Sequence, residues 1–214
     1  MAVELVTTAG VFRLDGEDVD VLNNIWIVGD DHEVMVIDAA HDHAPIVAAV
    51  SGRSVVVVLL THGHNDHINA AGALADVVDA PIALHPDDLM LWSTVYPDRR
   101  PDLDIEAGST YTAGGHTVAA LHTPGHSPGC CCFHDSEGRV VFSGDTLFCG
   151  GPGATGRSYS DRPTILRSIR DELMGLPAET IVHTGHGEST TIGAELPLIE
   201  ELVRIEGVSD QRSQ

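Results

Sequence analysis

The sequence contains no lysine, and its 11 basic residues are all arginine. The lack of lysine excludes Schiff-base chemistry, a catalytic amine and a P-loop. Against these cations stand 32 acidic residues, which give a formal net charge of −21. Proteins that bind nucleic acid through phosphates need a basic face, and anionic membranes attract basic segments. The composition therefore predicts neither partner.

Long apolar runs and a disulfide pattern are also missing. The longest unbroken apolar run, residues 55–60, is too short to cross a bilayer. Residues 1–4 lack the basic start and apolar stretch of a secretory signal. Three consecutive cysteines at 130–132 and a fourth at Cys149 do not resemble a secreted disulfide framework. We therefore expect a cytoplasmic protein that acts on a small molecule, in an oligomeric state that the sequence leaves open.

Hydrophobic periodicity predicts alternating strands and helices over the whole chain. The predicted strands are 9–14, 24–28, 33–37, 54–60, 81–85, 116–122, 130–134, 139–142 and 180–183. The predicted helices are 44–51, 68–78, 86–92, 162–174 and 195–203, with Asn65 or Asp66 placed to cap the second. This order favours an α/β protein with two sheets packed face to face, a four-layer α/β/β/α sandwich. We expect a single domain over 1–214, built from two similar halves (about 1–105 and 106–205) and a frayed tail at 206–214.

A dense group of metal-binding residue types follows the strand at 54–60. His62 and His64 are two residues apart, so their side chains fall on the same side of an extended segment. Asp66 and His67 come next, at the start of a predicted helix. Three imidazoles and a carboxylate in so short a stretch favour a metal site over a polar surface loop. A single cation cannot easily be coordinated by all four side chains of so short a loop, which suggests two adjacent metal sites.

Three later segments have the same form, a β-branched run, a glycine and then a single histidine or aspartate. The residues so presented are His126, Asp145 and His186. A glycine permits close backbone approach and so helps to aim one side chain into a crowded site. Ligands at the ends of separate strands are what a rigid metal centre requires.

Four segments, THGHNDH, TPGHSPG, FSGDTLF and TGHGEST, resemble the metal-binding segments of the metallo-β-lactamase-fold hydrolases, specifically the glyoxalase II (hydroxyacylglutathione hydrolase)-like branch. The similarity extends from about residue 24 to 195. It implies two divalent metal ions, for which zinc suits the imidazole and carboxylate set and iron or manganese are admissible. It also implies that Asp66 and Asp145 take part in catalysis. The implied ligands are His62, His64 and His126 for one ion, Asp66, His67 and His186 for the other, and Asp145 bridging both.

Other polar residues near these segments could support the ligands or the fold. Asp38 ends a strand and either orients a ligand histidine or forms a turn. His122 and His183 precede implied ligands, and we expect them in the core or supporting a ligand rather than binding metal. The rival pair His41 and His43 is interpreted as a solvated helix start.

The cysteines and Arg157 are the last residues whose roles we consider from sequence. Residues 130–132 lie on a predicted strand, where alternate side chains face opposite ways, so they are interpreted as small buried hydrophobic residues. Cys149 has no assigned role. Arg157, in a glycine-rich stretch, is predicted to form a structural ion pair, with contact to an anionic substrate as the alternative.

The resemblance implies hydrolysis of a thioester of a low-molecular-weight thiol, by attack of a metal-bridging hydroxide on the carbonyl. Glyoxalase II enzymes hold glutathione with basic residues of a C-terminal helical segment, whereas only Arg204 and Arg212 follow Arg170 here. Another thiol carrier, a simple ester or a lactone is therefore an alternative. A persulfide dioxygenase with a single iron is the rival from a different enzyme class. A β-lactamase, a nuclease and a non-enzymatic metal-binding protein are less favoured.

Overall fold

The computed structural model describes residues 2–208, so residues 209–214 of the predicted frayed tail lie outside the described part. Its first sheet contains β1 (Ala2–Leu14), β2 (Glu17–Gly29), β3 (Glu33–Ile37), β4 (Ser54–Leu59), β5 (Ile82–Leu84) and β6 (Leu103–Asp104), in that order. Its second sheet has β7 (Thr110–Ala113), β8 (His116–His122), β9 (Cys131–Asp135), β10 (Val140–Gly144), β13 (Ile181–Thr184) and β14 (Thr190–Thr191). A ribbon of β11 (Leu147–Phe148) and β12 (Gly151–Pro152) follows β10.

Helices connect and cover these strands. The α-helices are α1 (His43–Val50), α2 (Asn65–Ile68), α3 (Ala71–Val78), α4 (Leu89–Val95), α5 (Arg162–Ser168) and α6 (Ile192–Ile205). A 3₁₀ turn at Pro86–Asp88 precedes α4, and a π-helical stretch at Ile169–Leu173 continues α5.

Strand direction brings the ends of distant strands to one edge of the molecule. In the first sheet, β3, β4, β5 and β6 run parallel. In the second sheet, β8 and β10 are each antiparallel to β9, and β10 is parallel to β13, so β8, β10 and β13 share a direction. The carboxyl ends of β4, β8, β10 and β13 are the points from which the predicted ligand segments leave.

Three separate apolar clusters show that four layers are stacked. Alternate residues of one strand serve different clusters: Ile25 and Ile27 of β2 pack with α1 and α3, whereas Trp26 and Val28 face the second sheet. The third cluster lies between the second sheet and the helices after residue 161. Four layers need three interfaces, and the predicted α/β/β/α sandwich is confirmed. The cysteines follow the same alternation, since Cys131 lies between the sheets and Cys132 faces the helices, both buried and free.

The first two strands are much longer than predicted. Instead of separate strands at 9–14 and 24–28, β1 and β2 form a hairpin of 13 residues on each side, closed by Asp15 and Gly16. Both turn residues have positive φ, 55° and 79°, as the two-residue turns of twisted hairpins require. The Asp-Gly pair was therefore an available signal for this hairpin.

The predicted helix at 68–78 begins later, at Ala71 (α3), and residue 68 instead ends the separate short helix α2. Between α2 and α3, backbone groups form hydrogen bonds with Ala39 in place of helical ones. The Ala39 amide donates to the His67 carbonyl at 2.9 Å, and the Ala70 amide donates to the Ala39 carbonyl at 3.0 Å. The predicted caps were also wrong, since His64 occupies the N-cap position of α2 without a side-chain hydrogen bond. Asn65 instead donates from its side chain to the Val11 carbonyl at 2.7 Å.

Over residues 2–208, no helix combines the length and the apolar character that crossing a bilayer demands. Residues 2–104 supply the whole first sheet and residues 110–191 the whole second sheet. The predicted domain boundaries themselves stay a prediction.

Candidate metal centre

The structure brings all seven predicted ligands to one place at the shared sheet edge. His62 and His64 leave the end of β4, Asp66 and His67 lie on α2, and the others follow β8, β10 and β13. One nitrogen or oxygen from each member of three overlapping triads lies within 4.8 Å of those of the other two. The triads are His62, His64 and His126; His62, His67 and Asp145; and Asp66, His67 and His186.

Asp145 lies between the two halves of this group. Its Oδ1 is 3.2 Å from Nε2 of His67, and its Oδ2 is 3.5 Å from Nε2 of both His126 and His186. On the other carboxylate, Oδ2 of Asp66 is 3.4 Å from Nε2 of His186. Six of the seven residues are buried and only His186 is half-buried, so little water screens these charges.

The backbone and one carboxylate fix the orientation of the imidazoles. Nδ1 of His67 is 2.8 Å from Asp38 Oδ2, Nδ1 of His126 is 2.8 Å from the Ala154 carbonyl, and Nδ1 of His186 is 2.7 Å from the Leu22 carbonyl. These oxygens only accept hydrogen bonds, so each Nδ1 carries the hydrogen. In the neutral form of each ring the lone pair is then on Nε2, directed into the group.

Asp38 also orients His62. Its Oδ2 accepts a hydrogen bond from Thr61 Oγ1 at 2.9 Å, and Thr61 Oγ1 is 3.0 Å from Nδ1 of His62. Because the hydroxyl hydrogen points to Asp38, Oγ1 is free to accept the Nδ1 hydrogen of His62. Asp38 thus holds two imidazoles through one carboxylate, with φ of 63° in its own backbone. Of the two roles considered from sequence, the structure shows the contact of Asp38 with a histidine that is a predicted ligand, His67.

Acceptor atoms converge here with few donors between them. Nε2 of His67 and Nε2 of His186 are 3.2 Å apart, too close for two bare lone pairs. Among residues 2–208, six buried side-chain nitrogen or oxygen atoms have no hydrogen-bond partner. Four of the six belong to this group: His62 Nε2, His64 Nε2, Asp66 Oδ1 and Asp145 Oδ1. Buried lone pairs that face each other are costly unless a cation or a proton lies between them, so the donor set fits divalent metal ions.

The pKa values show how the metal-free protein balances these charges. Burial alone would lower the pKa of His186, but Asp145 and Asp66 raise it to about 10. Burial likewise opposes protonation of His67, yet Asp145, Asp66 and Asp38 hold its pKa well above the usual value. Burial lowers the pKa of His64 to about 3, so that ring is neutral. His67 and His186 therefore carry the protons that metal ions replace.

Metal affinity is accordingly expected to fall as pH falls. Both raised histidines are protonated at neutral pH in the metal-free protein, and each must lose its proton before it can bind a metal. Each displaced proton weakens the apparent association constant about tenfold for every pH unit lowered. Competition with a chromophoric chelator between pH 6 and 8 measures the slope, and proton release is measured in a weakly buffered solution. A flat profile contradicts this assignment.

The contacts that Asn23 and His41 make around Asp66 were not predicted from sequence. Asn23, fully buried on β2, donates from Nδ2 to Asp66 Oδ2 at 3.1 Å. His41 Nε2 lies 2.9 Å from Oδ1 of the same Asn23, and Asn69 contacts the other His41 nitrogen at 3.2 Å. The predicted helix start is confirmed, since α1 begins at His43, but the His41 ring contacts Asn23 and Asn69 and is not simply solvated. No local pattern marks Asn23, because its role depends on the pairing of β2 with distant segments.

His122 and His183 do not join the group. The His122 ring stacks on His85, with ring centroids 4.1 Å apart. The His183 ring lies 4.1 Å from that of Trp26, and its Nδ1 is 2.9 Å from Ser189 Oγ. Burial lowers the pKa of His183 to about 4, so it is a neutral packing residue.

Asp88 connects two of the ligand-bearing loops and was also missed. Its Oδ2 accepts from the Gly63 amide at 2.7 Å and from Ser127 Oγ at 2.6 Å, and its Oδ1 accepts from the Gly129 amide at 2.7 Å. The carboxylate is fully buried. The loop that carries His62 and His64 is thereby tied to the loop that carries His126.

Removal of the Asp88 carboxylate is expected to cost stability. Asp88→Ala leaves three buried donors without a partner, each worth about 1–3 kcal/mol, so the free energy of unfolding should fall by several kcal/mol. Urea denaturation of the metal-free protein measures the change apart from any effect on metal binding. The exposed Asp98→Ala provides the control and should change it by less than about 0.5 kcal/mol. Equal effects of the two substitutions would contradict the role given to Asp88.

A cleft opens onto this group of seven residues. Phe12, Val19 and Val21 of the hairpin form one wall, and residues 154–160 supply the other. Arg157 Nη1 forms an ion pair with Glu17 at 2.6 Å, and its guanidinium lies 5.2 Å from the Phe12 ring centroid. The predicted ion pair of Arg157 is present, and it joins the two walls at the mouth of the cleft.

Comparison with known proteins agrees with this geometry. The sequence profile of the Metallo-beta-lactamase superfamily matches residues 19–186. Hydroxyacylglutathione hydrolase GloC of Haemophilus influenzae is 32% identical over 186 residues, which cover 80% of this chain and 87% of that protein. Probable metallo-hydrolase YqgX of Bacillus subtilis is 30% identical over 187 residues, 81% of this chain and 88% of that one.

Solved structures show the same arrangement of the chain. BLEG-1 B3 metallo-beta-lactamase superposes with a TM-score of 0.75 at 30% identity, covering 89% of this chain and 97% of that one. TTHA1623, solved in a di-iron-bound form, superposes with a TM-score of 0.74 at 34% identity, covering 82% and 93%. ETHE1 from Myxococcus xanthus, at 23% identity and a TM-score of 0.74, covers 99% and 93% and shares the fold. With its four-layer fold and its metal-ligand types at the sheet edge, this chain belongs to the metallo-β-lactamase superfamily.

Proposed function

We propose that the protein is a dinuclear metal-dependent hydrolase that cleaves thioesters of a low-molecular-weight thiol. The observation that carries the proposal is the convergence of seven imidazole and carboxylate side chains with Asp145 between two triads. The similarity to GloC supports the thioester class, since that relative is named for hydrolysis of an acylated glutathione.

The seven residues are proposed to hold two divalent ions. His62, His64 and His126 bind one, Asp66, His67 and His186 bind the other, and Asp145 contacts both. Such a pair, when bound, supplies an activated water at neutral pH and polarises a carbonyl oxygen. Zinc suits these ligands, and the di-iron form of TTHA1623 makes iron the strongest alternative.

Asp38 and Asn23 hold the proposed ligands in position. Asp38 fixes the tautomer and direction of His62 and His67, so that their Nε2 lone pairs need no reorientation when an ion arrives. Asn23 donates to Asp66 and keeps that carboxylate turned inward. Because a thiolate leaves readily, no separate general acid is required of the side chains.

The cleft is proposed to receive the substrate between the hairpin and the 154–160 loop. Phe12, Val19 and Val21 provide an apolar wall for an acyl or thiol chain. Arg157 is the one arginine among the described residues that line the cleft, and we propose that it meets a carboxylate of the substrate.

Arg157→Ala is accordingly expected to raise KM about tenfold for a carboxylate-bearing thioester and to change KM little for an uncharged one. Steady-state kinetics with both substrates give the comparison. Glu17→Gln is the matched variant, because it breaks the ion pair and leaves the guanidinium free. If Arg157 serves only to hold the cleft walls, Glu17→Gln will impair both substrates as Arg157→Ala does.

The proposed activity is tested by a turnover panel on the purified protein with its metals quantified. The panel contains acyl thioesters of several thiol carriers, simple esters, lactones, a cephalosporin and a persulfide. We expect the fastest turnover for a thioester, with two metal ions for each chain. Oxygen consumption with the persulfide and one iron for each chain would indicate the dioxygenase instead, and dominant cephalosporin turnover would indicate a β-lactamase.

A further inference from the structure

A second group of metal-binding side chains lies apart from the seven-residue group. His85, Asp87 and His122, which we call the peripheral cluster, each offer one ligand atom, and these atoms lie within 4.8 Å of one another. His85 follows β5 of the first sheet, whereas His122 ends β8 of the second. The peripheral cluster therefore bridges the two sheets.

The hydrogen bonds of the two rings fix which nitrogen of each carries the lone pair. His85 Nδ1 accepts the Asp87 amide at 3.2 Å, so Nδ1 carries the lone pair, and a bound ion must replace this long contact. His122 Nε2 is 2.9 Å from the Pro128 carbonyl oxygen and must carry its hydrogen, which leaves the lone pair on Nδ1. The Asp87 carboxylate reaches within 3.8 Å of His85 Nδ1.

Two imidazole nitrogens and a carboxylate oxygen are a donor set for borderline divalent metals. We propose that the peripheral cluster is a separate site for a transition-metal cation such as Zn²⁺, Ni²⁺ or Cu²⁺. The Asp87 side chain is 60% exposed and that of His85 is 11% exposed, so an ion enters from solvent and water completes its coordination. Burial keeps the pKa of His85 below its usual value, which leaves the ring neutral and able to bind.

Metal binding changes the relation of the two rings. In the structure they are stacked, with centroids 4.1 Å apart and planes 8° apart. Lone pairs of parallel stacked rings do not point to one position, so one ring must turn for both to contact the same ion. If the two rings only pack together, added metal will leave them stacked. A change in the stacking of His85 and His122 on metal addition is therefore a second test of the site.

The experiment compares metal counts of the holoprotein and its variants after equilibrium dialysis against rising Zn²⁺. Asp87→Asn and His122→Asn should each bind one equivalent fewer than the parent protein at saturation. His134→Asn, a half-buried histidine on the neighbouring β9, and the exposed Asp98→Asn should keep the full count. The proposal concerns a difference between variants, so it does not depend on how many ions the seven-residue group binds.

Imidazole NMR signals provide the second measurement. Zn²⁺ added beyond saturation of the tight sites should shift the ring signals of His85 and His122 but not that of His134. Equal metal counts in all variants, or unshifted His85 and His122 signals, would show that the two rings only pack together. Circular dichroism confirms that each variant is folded.

Discussion

Asp145→Asn is expected to lower the hydrolysis rate by at least about a hundredfold and to reduce the bound metal, with the fold preserved. Loss of a residue that merely supports a ligand already costs about 10–100-fold, and Asp145 is proposed as a ligand of both ions. The substitution keeps the shape of the side chain but removes a negative charge from between His67, His126 and His186. Its amide nitrogen also brings a donor where the ions need an acceptor.

The measurement is kcat together with metal content and far-ultraviolet circular dichroism on the same preparation. The exposed Asp31→Asn serves as the charge-matched control and should behave like the parent protein. Normal turnover with full metal occupancy in Asp145→Asn would remove Asp145 from the centre.

Chelation of the metals should abolish activity and lower the melting temperature. Without cations, the buried lone pairs of His62, His64, Asp66 and Asp145 lack partners, and protons on His67 and His186 offset them only in part. Ions that bind only the folded state stabilise it by about 4 kcal/mol when present at a thousand times their dissociation constant. Activity should return on addition of Zn²⁺, or of Fe²⁺ or Mn²⁺ if these are the preferred ions.

Asp145→Asn supplies the control for this experiment. Its weakened metal binding should make its melting temperature respond less to the chelator than that of the parent protein. A parent protein whose activity and melting temperature survive complete metal removal would refute the metal-dependent mechanism.

The candidate ligand segments could be found in the sequence because their pattern is local. A β-branched strand, a glycine and one histidine or aspartate recur at His126, Asp145 and His186, and the structure places all three near one another. The layers were predictable for a similar reason, since alternation along each strand assigns side chains to two opposite faces. What brings the segments together is that the carboxyl ends of β4, β8, β10 and β13 lie at one edge of the molecule, which depends on how the two sheets are stacked.

The support around the centre could not be predicted because it depends on long-range pairing. Asn23 reaches Asp66 across 43 positions, and Asp88 reaches Ser127 across 39. Neither residue has a sequence pattern that distinguishes it from other polar residues of the chain. The change from α to π geometry at Ile169 similarly left no mark in the hydrophobic periodicity, which predicts one helix over 162–174.

The central claim is that separated segments assemble two adjacent metal positions around Asp145. Anomalous X-ray diffraction from crystals of the loaded protein, recorded on both sides of the metal absorption edge, tests it most directly. We expect two anomalous peaks, one bordered by His62, His64 and His126, the other by Asp66, His67 and His186, with Asp145 touching both. A single peak, or peaks bordered by other residues, would contradict it.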